Sequence, residues 1–200
     1  KVDQSHLGNG EKIKNEQFTY YLGLIIMKKI LLLILVLPTI SFGACMDFYK
    51  QDLVTLQGEK FDLCEHQEKP IIFVNTASKC GFTTQFEGLE KLYRENKERL
   101  LIVGFPSNDF NQELSTDKEI QDFCKLTYAV DFPMMSKSSV LGKNANKVYQ
   151  NLYDITGEAP MWNFYKFVVL PKAKSVHVLS SRVRPESDKL LDLINPYIKN

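Results

Sequence analysis

From Phe48 onward the chain alternates between short apolar runs and longer segments in which apolar residues recur at helical spacing. FDLCEHQ and IIFVNTA read as strands, TTQFEGLEKLYRENKER as an amphipathic helix, and LLIVGFPS as a buried strand. STDKEIQDFCKLTYAV follows as a second helix, with Ser115 or Thr116 as its N-cap. Strand, helix, strand, helix predicts a parallel βαβ unit. Further on, ANKVYQNLYDIT is helical, NFYKFVVLP and KSVHVLSS are adjacent strands, and Pro185 opens a closing helix whose Leu190, Leu191 and Ile194 share one face. The expected fold class is α/β with an antiparallel addition, in one domain over residues 46–200 without repeats or linkers.

The N-terminal quarter follows a different grammar. Met27 opens MKKILLLILVLPTISFGAC, in which Lys28 and Lys29 are a positive start, Ile30 to Leu37 an apolar run, and Pro38 a break ahead of small residues. Residues 27–44 are therefore read as a signal peptide for export, with cleavage after Gly43 and release, in a bacterial context, into the periplasm. Two alternatives stay open: FGAC as a poor lipidation motif that leaves Cys45 lipid-modified, and an uncleaved membrane anchor, for which the apolar run interrupted by Lys28 and Lys29 is short. Residues 1–26 carry no clear period and are read as an upstream extension outside the fold.

Composition changes this picture little. The formal net charge is +1, and no basic stripe with interleaved aromatics occurs, so nucleic acid is not an expected partner.

The cysteines are more informative. They stand at positions 45, 64, 80 and 124, and neither C-x-x-C nor C-x-x-x-C occurs, which excludes the usual dithiol reductase and copper-delivery motifs. Cys64, Glu65 and His66 form a weak metal-ligand candidate, and Cys64 is better read as a packed thiol. Cys80 lies just past the strand IIFVNTA and ahead of the helix that starts near Thr83 or Thr84, where N–H groups can stabilise a thiolate. A thiolate there can attack an O–O bond and become a sulfenic acid. A buried structural thiol is the alternative at this point.

Three segments in order carry a resemblance. NTASKCGFTTQFEGLEKLY, GFPSNDFNQE and MWNFYKFVV resemble the peroxidatic-cysteine, glutamine and Trp-Asn segments of the glutathione peroxidase family, and the similarity extends through EIQDFC, DFPMMSK and SRVRPES. The resemblance implies a thioredoxin-like fold, with a central mixed β-sheet flanked by helices, in which Cys80, Gln112, Trp162 and Asn163 converge on a peroxide site. It implies a thiol peroxidase reducing hydrogen peroxide and organic hydroperoxides in defence against oxidative stress. Sulfur supplies the redox chemistry, so no bound cofactor and no metal are expected. Cys124, in EIQDFC, matches the resolving cysteine of thioredoxin-dependent members, which implies a thioredoxin-like reductant; members without it use glutathione. A peroxide-sensing thiol relay and a catalytically silent thioredoxin-fold binding module are the alternatives.

The sequence departs from the family pattern in three places. One residue fewer than usual precedes Gln112, and Asn111 stands directly before it. The hairpin after FVVL reads PKAKS, without the usual Asp and Gly. The long insert that family tetramers carry before the Trp-Asn segment is absent, which implies a monomer with an open site, accessible to bulky hydroperoxides.

Overall fold

The computed structural model describes residues 44–199; the extension over 1–26 and all of the export-signal reading except Ala44 lie outside the described residues. A short antiparallel pair, β1 (Leu53–Val54) and β2 (Lys60–Phe61), precedes a four-stranded sheet. The sheet runs in the order β4-β3-β5-β6, from β3 (Ile71–Thr76), β4 (Leu101–Pro106), β5 (Lys166–Val169) and β6 (Val176–Leu179). β3 and β4 are parallel, with Ile71 opposite Leu101, and are joined through α1 (Gln85–Asn96). β5 pairs antiparallel with β3, and β6 antiparallel with β5. Three further helices are α2 (Asp117–Tyr128), α3 (Lys147–Thr156) and α4 (Asp188–Ile198).

All residues of β3, β4 and β5 are buried, the polar Asn75, Thr76 and Lys166 among them, as in strands covered on both faces. Alternate side chains divide between two cores. Ile72, Val74, Ile102 and Val168 meet Phe86 and Leu89 of α1, Ile120 of α2, and Leu190 and Ile194 of α4. Ile71, Phe73, Val103 and Phe167 meet Val148, Tyr149 and Leu152 of α3, together with Tyr49 and Leu63. Each fully buried aliphatic or aromatic side chain contributes roughly 1.5–3 kcal/mol.

Local signals set the helix limits. Thr116 caps α2 by accepting from the Glu119 N–H, while the Glu119 carboxylate accepts from the Thr116 N–H at 2.9 Å. Asn146 caps α3, and Gly157 closes it at φ 70°.

Several expectations need correction. FDLCEHQ is not one strand: of its residues only Phe61 pairs, opposite Leu53, and Leu63–His66 is a 3-10 turn begun by the Asp62 carboxylate, which accepts from Cys64 N–H at 2.8 Å. Nor is Cys64 a packed thiol, because its sulfur is bonded to that of Cys45. The closing helix starts at Asp188 rather than Pro185, after a turn in which Ser187 N–H donates to Arg184 O. NFYKFVVLP is extended only over Lys166–Val169, since Phe164 turns the chain at φ 64°. In the PKAKS hairpin, Lys172 and Ala173 take left-handed φ of 58° and 50° without glycine, held by bonds from Lys172 N–H to Gln67 O and from Ala173 N–H to Tyr49 Oη.

Candidate active site

Strand directions collect three loops at one end of the sheet. β3 and β4 are parallel, so their C-terminal ends lie side by side, and β5 begins at that same end because it runs the other way. The loop after β3 carries Cys80, the loop after β4 carries Gln112, and the loop before β5 carries Trp162 and Asn163.

Cys80 is a free, buried cysteine. α1 proper starts at Gln85, and the intervening residues form single turns, with Thr83 N–H donating to Cys80 O. The N–H that reaches the Cys80 sulfur is that of Phe82, at 3.5 Å.

Hydrogen bonds lock the second loop against the first. Lys79 N–H donates to Gln112 O at 2.9 Å, and Ser78 N–H donates to the Glu113 carboxylate at 3.0 Å. The shortened lead-in does not pull Gln112 away: Asn111 takes φ 57°, a left-handed conformation that Asn tolerates, and turns the chain in place of the missing residue. Gln112 Oε1 then accepts from Asn163 Nδ2 at 2.9 Å. With its oxygen committed to Asn163, the amide NH2 of Gln112 is left to donate elsewhere. Trp162 is partly exposed, its ring 5.3 Å from that of Phe110. The structure thus brings Gln112 and Asn163 into direct contact, ties Gln112 to the residue before Cys80, and sets the Trp162 ring at a tilt against Phe110 of the glutamine loop.

Cys124 is placed differently. It is a free, buried thiol inside α2, sharing a core with Cys80 but not bonded to it. Burial, and secondarily the Glu113 carboxylate, push this thiol up to about 12. Cys124 also lines a cavity of about 380 Å³ with Leu56, Gln121, Val130, Phe132 and Met134.

The weak metal candidate dissolves, since the Cys64 sulfur is spent on Cys45. Among the described residues no group of three or more His, Cys, Asp or Glu could hold a metal ion.

Some residues around the site were not singled out in the sequence. Asn75 Nδ2 donates to Trp162 O at 3.0 Å, and Glu113 bridges the loops with one oxygen while the other is buried without a partner. Burial holds the Glu113 carboxyl above its ordinary range. The available signal was a polar residue inside an apolar strand, as at Asn75 in IIFVNT.

Comparison with known proteins fits this geometry. A family model described as "Glutathione peroxidase" matches residues 48–153. A glutathione peroxidase of Lactococcus lactis is 42% identical over 148 residues, covering 70% of this chain and 94% of the relative. The glutathione peroxidase-like peroxiredoxin 2 of Saccharomyces cerevisiae is 40% identical over 147 residues, covering 70% and 91%. Among solved structures, "Trgpx in apo form" superposes with TM-score 0.60 at 29% identity, covering 78% of this chain and 98% of that one. A thioredoxin family thiol:disulfide interchange protein from Chlorobium tepidum, at 15% identity and TM-score 0.52 over 72% of this chain and 94% of its own, shares the fold. The fold is α/β and thioredoxin-like, and this chain belongs to the glutathione peroxidase family.

Proposed function

We propose that this thiol-dependent peroxidase uses Cys80 as its peroxidatic nucleophile, with Gln112, Trp162 and Asn163 as donors around the reacting sulfur. The observation that carries the reading is the Asn163 Nδ2 to Gln112 Oε1 bond, which joins two distant segments beside the Cys80 loop. The Cys80 thiolate attacks the terminal oxygen of a hydroperoxide, the O–O bond breaks, and the alkoxide or hydroxide leaves and is protonated. Amide and indole N–H groups stabilise that developing negative charge without needing to change protonation state.

Cys124 is the resolving cysteine. Its thiol condenses with the Cys80 sulfenic acid, forming a disulfide and releasing water. A thiol that burial keeps protonated inside a helix needs that helix to open first, so oxidation of Cys80 is followed by local unwinding of α2. The reductant is a thioredoxin-like dithiol protein, which takes up the disulfide and returns two thiols; a second free cysteine, Cys124, in the same core as Cys80 favours this over glutathione. Hydrogen peroxide and organic hydroperoxides are the substrates, oxidative-stress defence the role, and no prosthetic group takes part.

The protein is exported and acts as a monomer. The Cys45–Cys64 disulfide supports an oxidising compartment such as the periplasm. That bond also occupies the sulfur that lipid attachment would need, which favours simple release over a lipoprotein.

The test is hydrogen peroxide turnover with a thioredoxin system and with glutathione, in wild type, Cys80→Ser and Cys124→Ser. Thioredoxin-supported turnover that requires both cysteines is expected. Glutathione-supported turnover that survives Cys124→Ser would reduce Cys124 to packing, and turnover that survives Cys80→Ser would remove the nucleophile assignment.

A further inference from the structure

Three successive backbone carbonyls in the Trp162–Asn163–Phe164 segment are each taken by a different buried side chain. Asn75 Nδ2, near the end of β3, donates to Trp162 O at 3.0 Å. Ser181 Oγ, just past β6, donates to Asn163 O at 2.6 Å. Lys166 Nζ, at the start of β5, donates to Phe164 O at 2.8 Å.

Lys166 has no exposed surface at all. Its other two donors go to Gln85 Oε1 at 2.5 Å and to Val183 O at 2.8 Å. All three ammonium hydrogens are therefore committed, to three separate segments. Gln85 Nε2 in turn donates to Ser181 O at 2.6 Å, which links Lys166 through α1 to the serine holding Asn163. Between these anchors Phe164 sits at φ 64°, a conformation that a bulky L residue does not hold unaided. Phe164 N–H also donates to Asn75 O at 2.6 Å.

A buried cation with no carboxylate bonded to it among the described residues is a costly way to fill space. Glu186 is the charged group whose field favours the ammonium, and it is itself paired with Arg184 at 2.7 Å. What the ammonium supplies that an apolar side chain cannot is a three-way tie under the loop bearing Trp162 and Asn163.

We propose that Lys166 is a positioning residue for the peroxide site: by bonding Phe164 O, Gln85 and Val183 O together it fixes the left-handed turn that aims Trp162 and Asn163. The inference rests on the reading of those two residues as donors to the reacting sulfur and oxygen. A neutral amine has only two hydrogens to give, so deprotonation must release one of the three acceptors. Burial pulls Lys166 down to about 7, with Glu186 opposing, so the turn loosens as pH rises through that region.

Trp162 is the single tryptophan of the chain, so its emission reports on this loop alone. The experiment uses the full chain and compares wild type, Lys166→Met and Ser181→Ala. Three quantities are read: melting temperature, the single-turnover rate of Cys80 with hydrogen peroxide, and Trp162 emission between pH 6 and 9. Lys166→Met is expected to melt below the wild-type temperature, because Phe164 O, Gln85 Oε1 and Val183 O lose their shared donor. Its peroxide rate is expected to fall about tenfold to a hundredfold, as loss of alignment at a reacting centre does. The emission change centred near pH 7 in wild type should vanish in this variant.

An unchanged peroxide rate in folded Lys166→Met overturns the proposal. If that variant fails to fold, Ser181→Ala decides, with about a tenfold loss expected and an unchanged rate counting against. Trp162→Phe and Asn163→Ala separate the two levels. Wild-type rates in both sink the donor reading itself, whereas lost rates there beside an intact Lys166→Met rate sink only the positioning role.

Discussion

The two free cysteines are almost equally buried, at 4% and 3% exposure, yet their surroundings differ. Cys80 lies in a loop between a strand and a helix, where the Phe82 N–H reaches its sulfur. Cys124 lies within a helix, where burial and a neighbouring carboxylate hold the proton on. On the proposed cycle one cysteine reacts in the folded state, while the other becomes competent only when its helix opens.

The sharpest way to break this contrast is to alkylate Cys124 with iodoacetamide in Cys80→Ser, folded and in denaturant. A thiol moved from 9.0 to about 12 holds roughly a thousandfold less thiolate at neutral pH, so alkylation should be at least that much slower in the folded protein. A folded rate within about tenfold of the unfolded one would erase the distinction. The same shift fixes a sign: the folded state keeps its proton above pH 9, where the unfolded thiol loses it, so stability falls as pH rises beyond that point.

A smaller effect is expected from Thr116→Ala, which removes the cap of α2. The loss of about 1 kcal/mol should speed opening of the helix, and hence Cys124 alkylation, about fivefold. Cys80 alkylation in Cys124→Ser should not respond. An equal response at both cysteines would show that α2 does not gate Cys124 separately.

Glu113→Gln should act least. It keeps an oxygen for the Ser78 and Leu114 N–H groups while removing the charge that bears on Cys124, so alkylation should rise by about twofold to threefold. Burial raises the Glu113 carboxyl, so the folded state holds that proton longer than the unfolded chain does. Its effect on stability is therefore a loss that develops as pH rises from about 4.5, and melts in that range should show a flatter slope in the glutamine variant.

Much of this was legible in the sequence. The strands IIFVNTA and LLIVGFPS, the helices between them and the capping of α2 follow from periodicity and side-chain chemistry. The site residues followed from three segments in family order, and the structure brings two of them, Gln112 and Asn163, into contact. Pairings between distant segments were not legible. Nothing local in FDLCEHQ says that Cys64 meets Cys45, because that is set by how the turn at Asp62 packs. Lys166 looked like one polar position in a strand, and its three acceptors come from segments that only the fold assembles. The reach of Gln112 turned on one dihedral, at Asn111, which residue counting does not supply.

The Cys45–Cys64 bridge closes a loop with a sequence separation of 19, and such a closure stabilises a small domain by roughly 3 kcal/mol. On the proposed cycle the molecule carries sulfur pairs with contrary fates: one stays shut for the scaffold's sake, while Cys80 and Cys124 open and close with every turnover. A bridge that stabilises the fold is harder to reduce than one whose formation costs a helix, so driving force already protects the support. On the proposed cycle, shape would add to that protection, since a donor that fits an opened α2 need not reach the half-buried bridge beside Tyr49. Working lifetime then becomes a matter of fidelity, shared between this protein and whatever reduces it.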